Sequence, residues 1–311
     1  HVLRPISRKY DKAEHAYPKE LDMFASLMDG MNASGSAISA GAAVNVRGAT
    51  EEGNKNGVNM STALGIIEMC YGDTGLLLSM PRQGLGNSAI AAVANDEQLA
   101  RFKGTWAAMA ITEPGCGSDS AAIRTTATKD GDHYVLNGEK IFVTSGERAD
   151  SVVVWATLDR KLGRAAIKSF VVPKGTPGMK VERLEHKLGI KASDTAVISF
   201  TDCRVPAENL LGNPEIDVAK GFAGVMETFD NTRPLVAAMA VGCAKASLER
   251  IKEIFKDQLD ADYSTPYLHT SNLAAQIYRM EAEWEAARLL TLKATWMADN
   301  RKPNTKEASI A

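Results

Sequence analysis

The chain has 311 residues, of which 45% are hydrophobic and 24% charged, and its formal net charge is −2. This balance lacks the basic excess that is typical of nucleic-acid-binding proteins. The sequence contains no run of about 18 apolar residues, so a membrane span is not predicted. We therefore expect a cytoplasmic globular protein of two or three domains, or a mitochondrial-matrix protein if the source is eukaryotic.

Residues 1–106 are predicted to form an N-terminal helical domain. Pro18 opens a helix whose residues Leu21, Phe24 and Leu27 are spaced to share one face. Further along, one segment has a helical apolar pattern and another is mostly small and apolar, which predicts burial. These two segments are residues 59–70 and 75–94.

From Ala107 onward the hydrophobic period changes from that of a helix to two. Short runs rich in β-branched and aromatic residues alternate with Gly, Asp and Pro, which indicates strands joined by turns. Several short strands at this spacing predict a β-barrel or sandwich. Strands do not alternate with helices, so the pattern excludes a Rossmann domain. We assign residues 107–216 to this central β domain.

Helical patterns return in residues 217–311, which we assign to a C-terminal helical bundle. A long pattern over residues 221–255 contains Pro234, which is predicted to kink or restart the helix. A second amphipathic helix is predicted over residues 271–298. The chain starts at His1 and ends in helix-like sequence without a capping Gly or Pro, so we expect an incomplete bundle and truncation at both ends. Together the three regions predict an α+β fold.

The four cysteines lie far apart in the sequence and form no CxxC or His-Cys cluster. We therefore expect them to be reduced, small hydrophobic residues, and we predict neither a disulfide nor a metal site. They are Cys70, Cys116, Cys203 and Cys243.

Residues 109–144 carry the most informative pattern in the sequence. A threonine at the end of a strand leads into a loop that contains Gly117 and Ser118, and a second strand places Phe142 two residues before Thr144. Glycine lets backbone N–H groups approach an anion closely, and a hydroxyl adds another donor. Most such loops merely reverse the chain. Taken alone, the loop is weak evidence for a phosphate site or a contact with a polar ring edge.

The ordered set of motifs resembles the acyl-CoA dehydrogenase family, most strongly over residues 65–248. The resemblance implies a central β domain between helical domains, bound FAD, and the missing last helices of a four-helix bundle. The matching segments are residues 111–119 (Ile-Thr-Glu-Pro-Gly-Cys-Gly-Ser-Asp), 136–146 (Leu-Asn-Gly-Glu-Lys-Ile-Phe-Val-Thr-Ser-Gly), 193–195 (Ser-Asp-Thr), 205–212 (Val-Pro-Ala-Glu-Asn-Leu-Leu-Gly) and 229–234 (Phe-Asp-Asn-Thr-Arg-Pro).

The resemblance also implies roles for individual residues. Phe142 matches an aromatic residue that packs on the isoalloxazine ring, although ordinary core packing is the alternative. Leu78 and Pro81 match positions near the far end of the acyl pocket, or are simply core residues. The FAD-binding set implied by the family is Met109, Ile111, Thr112, Gly117, Ser118, Phe142, Val143 and Thr144.

The implied reaction is α,β-dehydrogenation of an acyl-CoA thioester to a 2-enoyl-CoA. A glutamate should remove the α-proton while a hydride passes from Cβ to the flavin. One of the two family positions for this base holds Thr232, and the other lies downstream of Ala311, so no catalytic residue is assigned. The implied substrate-binding residues are Ser118, Asp230, Asn231, Thr232 and Arg233; for Arg233, a surface salt bridge is the alternative.

One departure from the family leaves the function open between two classes. Many members carry an arginine motif that reaches the FAD of a neighbouring subunit, whereas residues 256–263 of this chain contain no arginine. We therefore expect an active dehydrogenase in a homo- or hetero-oligomer (dimer of dimers), with a non-catalytic or half-site subunit as the alternative and an acyl-CoA oxidase as a lesser one. The expected electron acceptor is an electron-transfer flavoprotein. The acyl chain cannot be predicted.

Overall fold

The computed structural model describes residues 2–33, 57–81, 85–216, 223–258 and 269–311. Helices precede and follow a block of strands, as the change of hydrophobic period predicts, and the α+β prediction is confirmed. The positions of the domain boundaries remain a prediction. The helices are α1 (Leu3–Lys12), α2 (Glu20–Ala33), α3 (Val58–Gly72), α4 (Thr74–Leu78), α5 (Leu85–Val93), α6 (Asp96–Arg101), α7 (Ala223–Ile254), α8 (Asn272–Asp299) and α9 (Thr305–Ile310).

The described strands form one mixed sheet of seven strands. Its order is β1-β4-β2-β3-β7-β6, and β5 pairs with the other edge of β4. Strands β1 and β4 are parallel, whereas β3 and β7 form a long antiparallel pair. The strands are β1 (Ala107–Ala110), β2 (Thr126–Asp130), β3 (His133–Thr144), β4 (Ser151–Thr157), β5 (Ile167–Pro173), β6 (Met179–Leu184) and β7 (Thr195–Pro206).

The sheet curls on itself and encloses the main core. Tyr134 on β3 and Phe170 on β5 lie on strands separated by β4 and β2, yet their ring centroids are 5.2 Å apart in an edge-to-face arrangement. Leu136 and Ile198, both fully buried, belong to the same apolar cluster. Alternate residues of β4 face this cluster or the opposite side, so the strand is buried on both faces, which explains its unbroken run of apolar residues.

Helix α5 covers the outer face of β1 at backbone distance. A Cβ on Gly86 would lie 2.2 Å from the carbonyl oxygen of Ala108, so only glycine permits this approach. The side chain of Asn87 also ties α5 to the start of β1. Its amide group donates to the carbonyl of Thr105 at 2.6 Å, and its oxygen accepts from the backbone N–H of Ala107 at 3.0 Å. These contacts fix the strand that leads into the 111–119 loop.

Helix α7 continues through Pro234 without the predicted restart. A proline removes its own N–H and leaves the carbonyl four residues earlier without a helical donor. Here that carbonyl belongs to Asp230, and the side-chain amide of Asn304 donates to it at 3.4 Å. Of the two predicted outcomes, a kink or a restart, the restart does not occur, and a donor from outside the helix replaces the missing one.

Other predictions for the helical regions have mixed outcomes. The helices predicted near residues 59–70 and 271–298 are present as α3 and α8. On α2, Leu21 is buried, Phe24 is half-buried and Leu27 is 60% exposed, so the face that these residues were predicted to share is only partly buried. In the described residues, no helix is both long and apolar enough to cross a membrane.

Replacing Gly242 with alanine should destabilise the protein. Helix α7 crosses α3 there, and a Cβ would lie 2.3 Å from the carbonyl oxygen of Ile67 and 2.8 Å from the Cβ of Cys70. We expect a loss of about 1–3 kcal/mol in the free energy of unfolding, because overpacking outweighs the gain in helix propensity. Urea denaturation measures it. The matched control is Gly189→Ala, whose Cβ meets nothing within 4 Å; equal losses in both variants would contradict the packing argument.

Candidate functional site

A backbone hydrogen bond joins the segment that follows β1 to the C-terminal half of β3. The N–H of Ile141 donates to the carbonyl of Thr112 at 2.9 Å. Thr112 is half-buried, and the turn after it is closed by two backbone hydrogen bonds between Glu113 and Cys116, of 2.9 and 3.1 Å. The structure thus brings the two predicted motifs side by side.

The loop beyond this turn presents an open backbone surface. Gly117 and Ser118 are exposed. A Cβ on either Gly115 or Gly117 would meet no described atom within 4 Å. Neither glycine is needed for internal packing, and the loop is open on the side where a Cβ would stand at both positions.

Phe142 stands out of a bulge in β3. The register against β7 shifts between Lys140 and Val143, and Phe142 within this bulge has a φ of 57°. Its side chain is 60% exposed, so core packing does not explain it. A left-handed conformation is strained for an aromatic residue, and such strain clusters at binding sites. By contrast, the side chain of Val143 is 1% exposed and belongs to the core inside the sheet.

Thr144 and Ser145 lie at the end of β3 and are held by contacts with the start of β7. Thr144 is half-buried and pairs with Thr195 on β7. Ser145 has a φ of 59°, and its N–H donates to the carbonyl of Asp194 at 3.0 Å. The Asp194 carboxylate accepts from the N–H of Glu147 at 3.0 Å. The Ser193–Thr195 motif therefore holds the turn after Thr144.

Leu78, one of the two predicted acyl-pocket residues, contacts the same strand end. The hydroxyl of Ser145 donates to the carbonyl of Leu78 at 3.5 Å, which joins α4 to the end of β3. Leu78 and Pro81 are both half-buried. Met109 and Ile111 pack in the cluster between the sheet and α5.

A buried ion pair connects the two motifs, and sequence reasoning did not identify it. Lys140 is fully buried, and its Nζ lies 2.8 Å from Glu113 Oε1 and donates to the carbonyl of Ile111 at 3.1 Å. Glu113 also accepts from the N–H of Arg124 at 2.6 Å and from the N–H and hydroxyl of Thr125 at 2.9 and 2.6 Å. Glu113 lies in the motif of residues 111–119 and Lys140 in that of residues 136–146. The sequence signal that could have indicated the pair is one acidic and one basic residue, each with apolar neighbours.

Burial and pairing act against each other on these two groups. Burial alone would raise the pKa of Glu113, but the Lys140 ammonium and the hydrogen bonds of Thr125 and Arg124 outweigh it and lower that pKa. Burial lowers the pKa of Lys140 despite the attraction of Glu113. The carboxylate is therefore ionised at neutral pH.

The predicted substrate residues on α7 contact one another and α9. Arg233 donates to Asp230 at 3.2 Å and to the Ser309 hydroxyl at 3.3 Å. Thr305 donates to the other Asp230 oxygen at 2.6 Å. Thr232 is buried, and the side chain of Asn231 lies outside the described residues. The sequence suggested either a CoA contact or a surface salt bridge for Arg233, and the structure contains the salt bridge.

Each of the four cysteines is a free thiol, and three are buried. Burial raises the pKa of Cys70 to about 12 and that of Cys203 to about 11. Cys243, however, is exposed. The region of the missing arginine motif, residues 256–263, lies outside the described residues from position 259 onward.

Comparison with known proteins decides the family. Residues 108–203 match the model of the acyl-CoA dehydrogenase middle domain, and residues 219–311 match that of the C-terminal domain. The butyryl-CoA dehydrogenase of Megasphaera elsdenii is 30% identical with a TM-score of 0.81, over 99% of this chain and 78% of that one. The chain belongs to the acyl-CoA dehydrogenase family.

Two further comparisons bear on function. The mitochondrial short-chain specific acyl-CoA dehydrogenase of Rattus norvegicus is 41% identical over 202 residues, which are 65% of this chain and 48% of that protein. A chain in a structure described as the electron transferring flavoprotein of Acidaminococcus fermentans is 31% identical with a TM-score of 0.78, over 99% of this chain and 78% of that one. As the comparison with the Rattus norvegicus protein illustrates, the chain spans about half the length of the curated relatives it matches.

Replacing Lys140 with methionine should strongly destabilise this acyl-CoA dehydrogenase chain. It would leave the buried Glu113 carboxylate without its cation, which costs about 3–5 kcal/mol of unfolding free energy. The control is Lys180→Met, which removes an exposed ion pair with Glu182 and should cost less than about 1 kcal/mol. Denaturant unfolding compares them. The double variant Glu113→Gln with Lys140→Met should recover part of the loss, and no recovery would argue against the pair.

Replacing Phe142 with alanine should weaken FAD binding while leaving the fold intact. The exposed ring contributes little to packing, so the apoprotein should unfold within about 0.5 kcal/mol of the unchanged chain. Loss of an aromatic wall should raise the Kd for FAD roughly tenfold. Fluorescence titration with FAD measures it, and Phe142→Tyr is the matched control. A Phe142→Ala variant that binds FAD normally would refute the proposed wall.

Proposed function

We propose that this chain forms the flavin-facing part of an enzyme that dehydrogenates an acyl-CoA thioester between Cα and Cβ, giving a 2-enoyl-CoA. The observation that carries the proposal is Phe142, an exposed aromatic residue on a strained bulge beside the strand end of Thr112. Membership of the acyl-CoA dehydrogenase family supports it.

FAD is the cofactor that these residues fit. In the proposal, Phe142 offers an apolar face to a planar ring, and the half-buried Thr112 and Thr144 would offer hydroxyl groups to its polar edge. The unobstructed backbone at Gly117 and the exposed hydroxyl of Ser118 suit a pyrophosphate. When bound, FAD supplies the hydride acceptor. In the proposal the chain holds and orients it, with Met109 and Ile111 behind the ring edge and Val143 contributing only backbone.

The acyl-CoA substrate is assigned to the junction of this surface with α4 and α7. Leu78 and Pro81 would border the acyl chain near Thr144, since the Ser145 hydrogen bond places Leu78 there. Asp230, Asn231, Thr232 and Arg233 would contact the CoA moiety. Arg233 retains a 36% exposed side chain while it pairs with Asp230, so the cation is accessible to a phosphate.

Proton abstraction requires a group that position 232 does not provide. Thr232 has no carboxylate, and its side chain is buried. We therefore propose no catalytic base among the residues described, and we assign the removal of the α-proton to a carboxylate elsewhere in the full-length protein. The residues described here bind and orient cofactor and substrate.

Partners follow from the same proposal. An electron-transfer flavoprotein is the proposed electron acceptor, which the similarity to a chain of the Acidaminococcus fermentans structure supports. We also propose a homo- or hetero-oligomer of the dimer-of-dimers type. In the half-site alternative, residues 256–263 do not supply a cation to the FAD of a neighbouring subunit. An unlike subunit of the hetero-oligomer would then supply that cation.

Anaerobic titration of the full-length protein tests the proposal. Purified without partners, the protein should be yellow, and butyryl-CoA should bleach the flavin band because reducing equivalents pass from substrate to FAD. The Phe142→Ala variant, reconstituted with FAD in excess of its Kd, controls for loss of cofactor alone.

Three results would contradict this proposal or its electron acceptor in different ways. A yellow protein that no straight or branched acyl-CoA bleaches would exclude the dehydrogenase reaction. A colourless protein that turns yellow only on mixing with a second, unlike chain would favour the half-site subunit. Rapid reoxidation of the bleached flavin by oxygen, at a rate matching turnover, would favour the oxidase.

A further inference from the structure

Three potential metal ligands converge between the N-terminal helices and the sheet. Glu14 and His15 lie in the connection between α1 and α2, and His186 lies in the connection between β6 and β7. One ligand atom from each side chain falls within 4.8 Å of the other two. Among the described residues, this is the one group of three or more His, Cys, Asp or Glu side chains whose ligand atoms lie this close together. Neither the flavin proposal nor the sequence motifs use it.

His15 is the residue that ordinary packing does not explain. Both ring nitrogens are shielded from solvent, and neither has a hydrogen-bond partner among the described residues. Burying such polar atoms without partners costs free energy. The residue also has a φ of 66°, which is strained for a side chain with a Cβ. A metal ion that accepts the lone pair of one ring nitrogen would remove part of the first cost, and a binding role would account for the strained backbone.

The surrounding contacts hold the other two side chains in position. Glu14 Oε2 lies 2.9 Å from His186 Nδ1, and Glu14 Oε1 accepts from the N–H of Lys187 at 2.8 Å. The rings of His15 and His186 are 5.5 Å apart between centroids. A hydrogen bond between Glu14 and His186 alone would explain their contact. It would not explain why the His15 imidazole is placed beside them.

Nearby cations leave the cluster free for a metal ion. Arg148 directs its guanidinium to the carbonyls of His15 and Ala16, at 3.1 and 3.2 Å. Lys187 donates its ammonium group to the carbonyl of Ser193 at 2.7 Å. Arg148 also forms an ion pair with Asp194, with its Nε 3.4 Å from Asp194 Oδ1. Both cations therefore have partners other than the carboxylate of Glu14. The His186 side chain is 85% exposed, which gives an ion a route from solvent.

We propose that Glu14, His15 and His186 bind one divalent transition-metal ion of the Zn²⁺ type, with a further coordination position open to solvent. Two imidazoles and a carboxylate are a ligand set that suits Zn²⁺, at about 2.0–2.2 Å per bond. Tetrahedral ligands at those bond lengths are roughly 3.4 Å apart, so the side chains need only close by small rotations. The ion would tie the α1–α2 connection to the segment that leads into Asp194 and β7.

Calorimetric titration of the flavin-loaded, full-length protein with Zn²⁺ after chelator treatment tests the site. We expect one ion per chain, and an affinity that falls at least about tenfold in His15→Asn and in His186→Asn. Zinc should also raise the Tm of the unchanged protein but not of these variants. His133→Asn is the matched control, because His133 contacts Asp132 without a third ligand, and it should bind zinc normally.

His186→Asn protects the test against a folding failure, because its exposed side chain can change without loss of packing; circular dichroism without metal verifies this. Absence of saturable binding would overturn the proposal. So would an affinity that His15→Asn leaves unchanged, since a carboxylate and one exposed histidine would then account for the binding. Binding that is lost equally in His133→Asn would place the ion elsewhere.

Discussion

The ion pair between Glu113 and Lys140 holds the candidate flavin surface together. One residue follows β1 and the other precedes the bulge of β3, so their contact fixes the loop against the strand. Breaking a buried pair on one side is costly, because it leaves a charge without a partner. The backbone bond from Ile141 to Thr112 and the exposed position of Phe142 both adjoin this pair. The open loop at Gly117 can therefore remain accessible while its base is rigid.

Much of the fold and part of the site were predictable from sequence. The change of period at Ala107 marked the strands, since alternation reports a half-buried sheet locally. Phe142 was predicted to face a ligand; the structure shows that it is exposed, and its contact with a ligand stays a prediction. The continuity of α7 was not predictable, because the donor that replaces the amide of Pro234 is Asn304, some seventy residues later. Likewise, Leu27 has a helical apolar spacing but its helix leaves it exposed.

Residues that act through distant contacts were the ones sequence reasoning missed. Glu113 and Lys140 stood in the motifs, but nothing local reveals that the two charges meet in the core. Glu14 and His15 are adjacent, whereas His186 is about 170 residues away, and their convergence depends on how the α1–α2 connection meets the sheet. Spacing rules detect ligands on one helix or loop. They do not detect ligands that tertiary packing brings together.

The hydrogen bond that Asn304 gives to Asp230 has a mechanical consequence. Pro234 makes that carbonyl dependent on a group outside α7, and Thr305 binds the carboxylate of the same residue. Asp230 in turn holds Arg233. Asp230 therefore connects the first turn of α9 to the guanidinium proposed to meet CoA, and the direct contact of Arg233 with Ser309 adds a second connection, so that a shift of α9 is transmitted to the guanidinium.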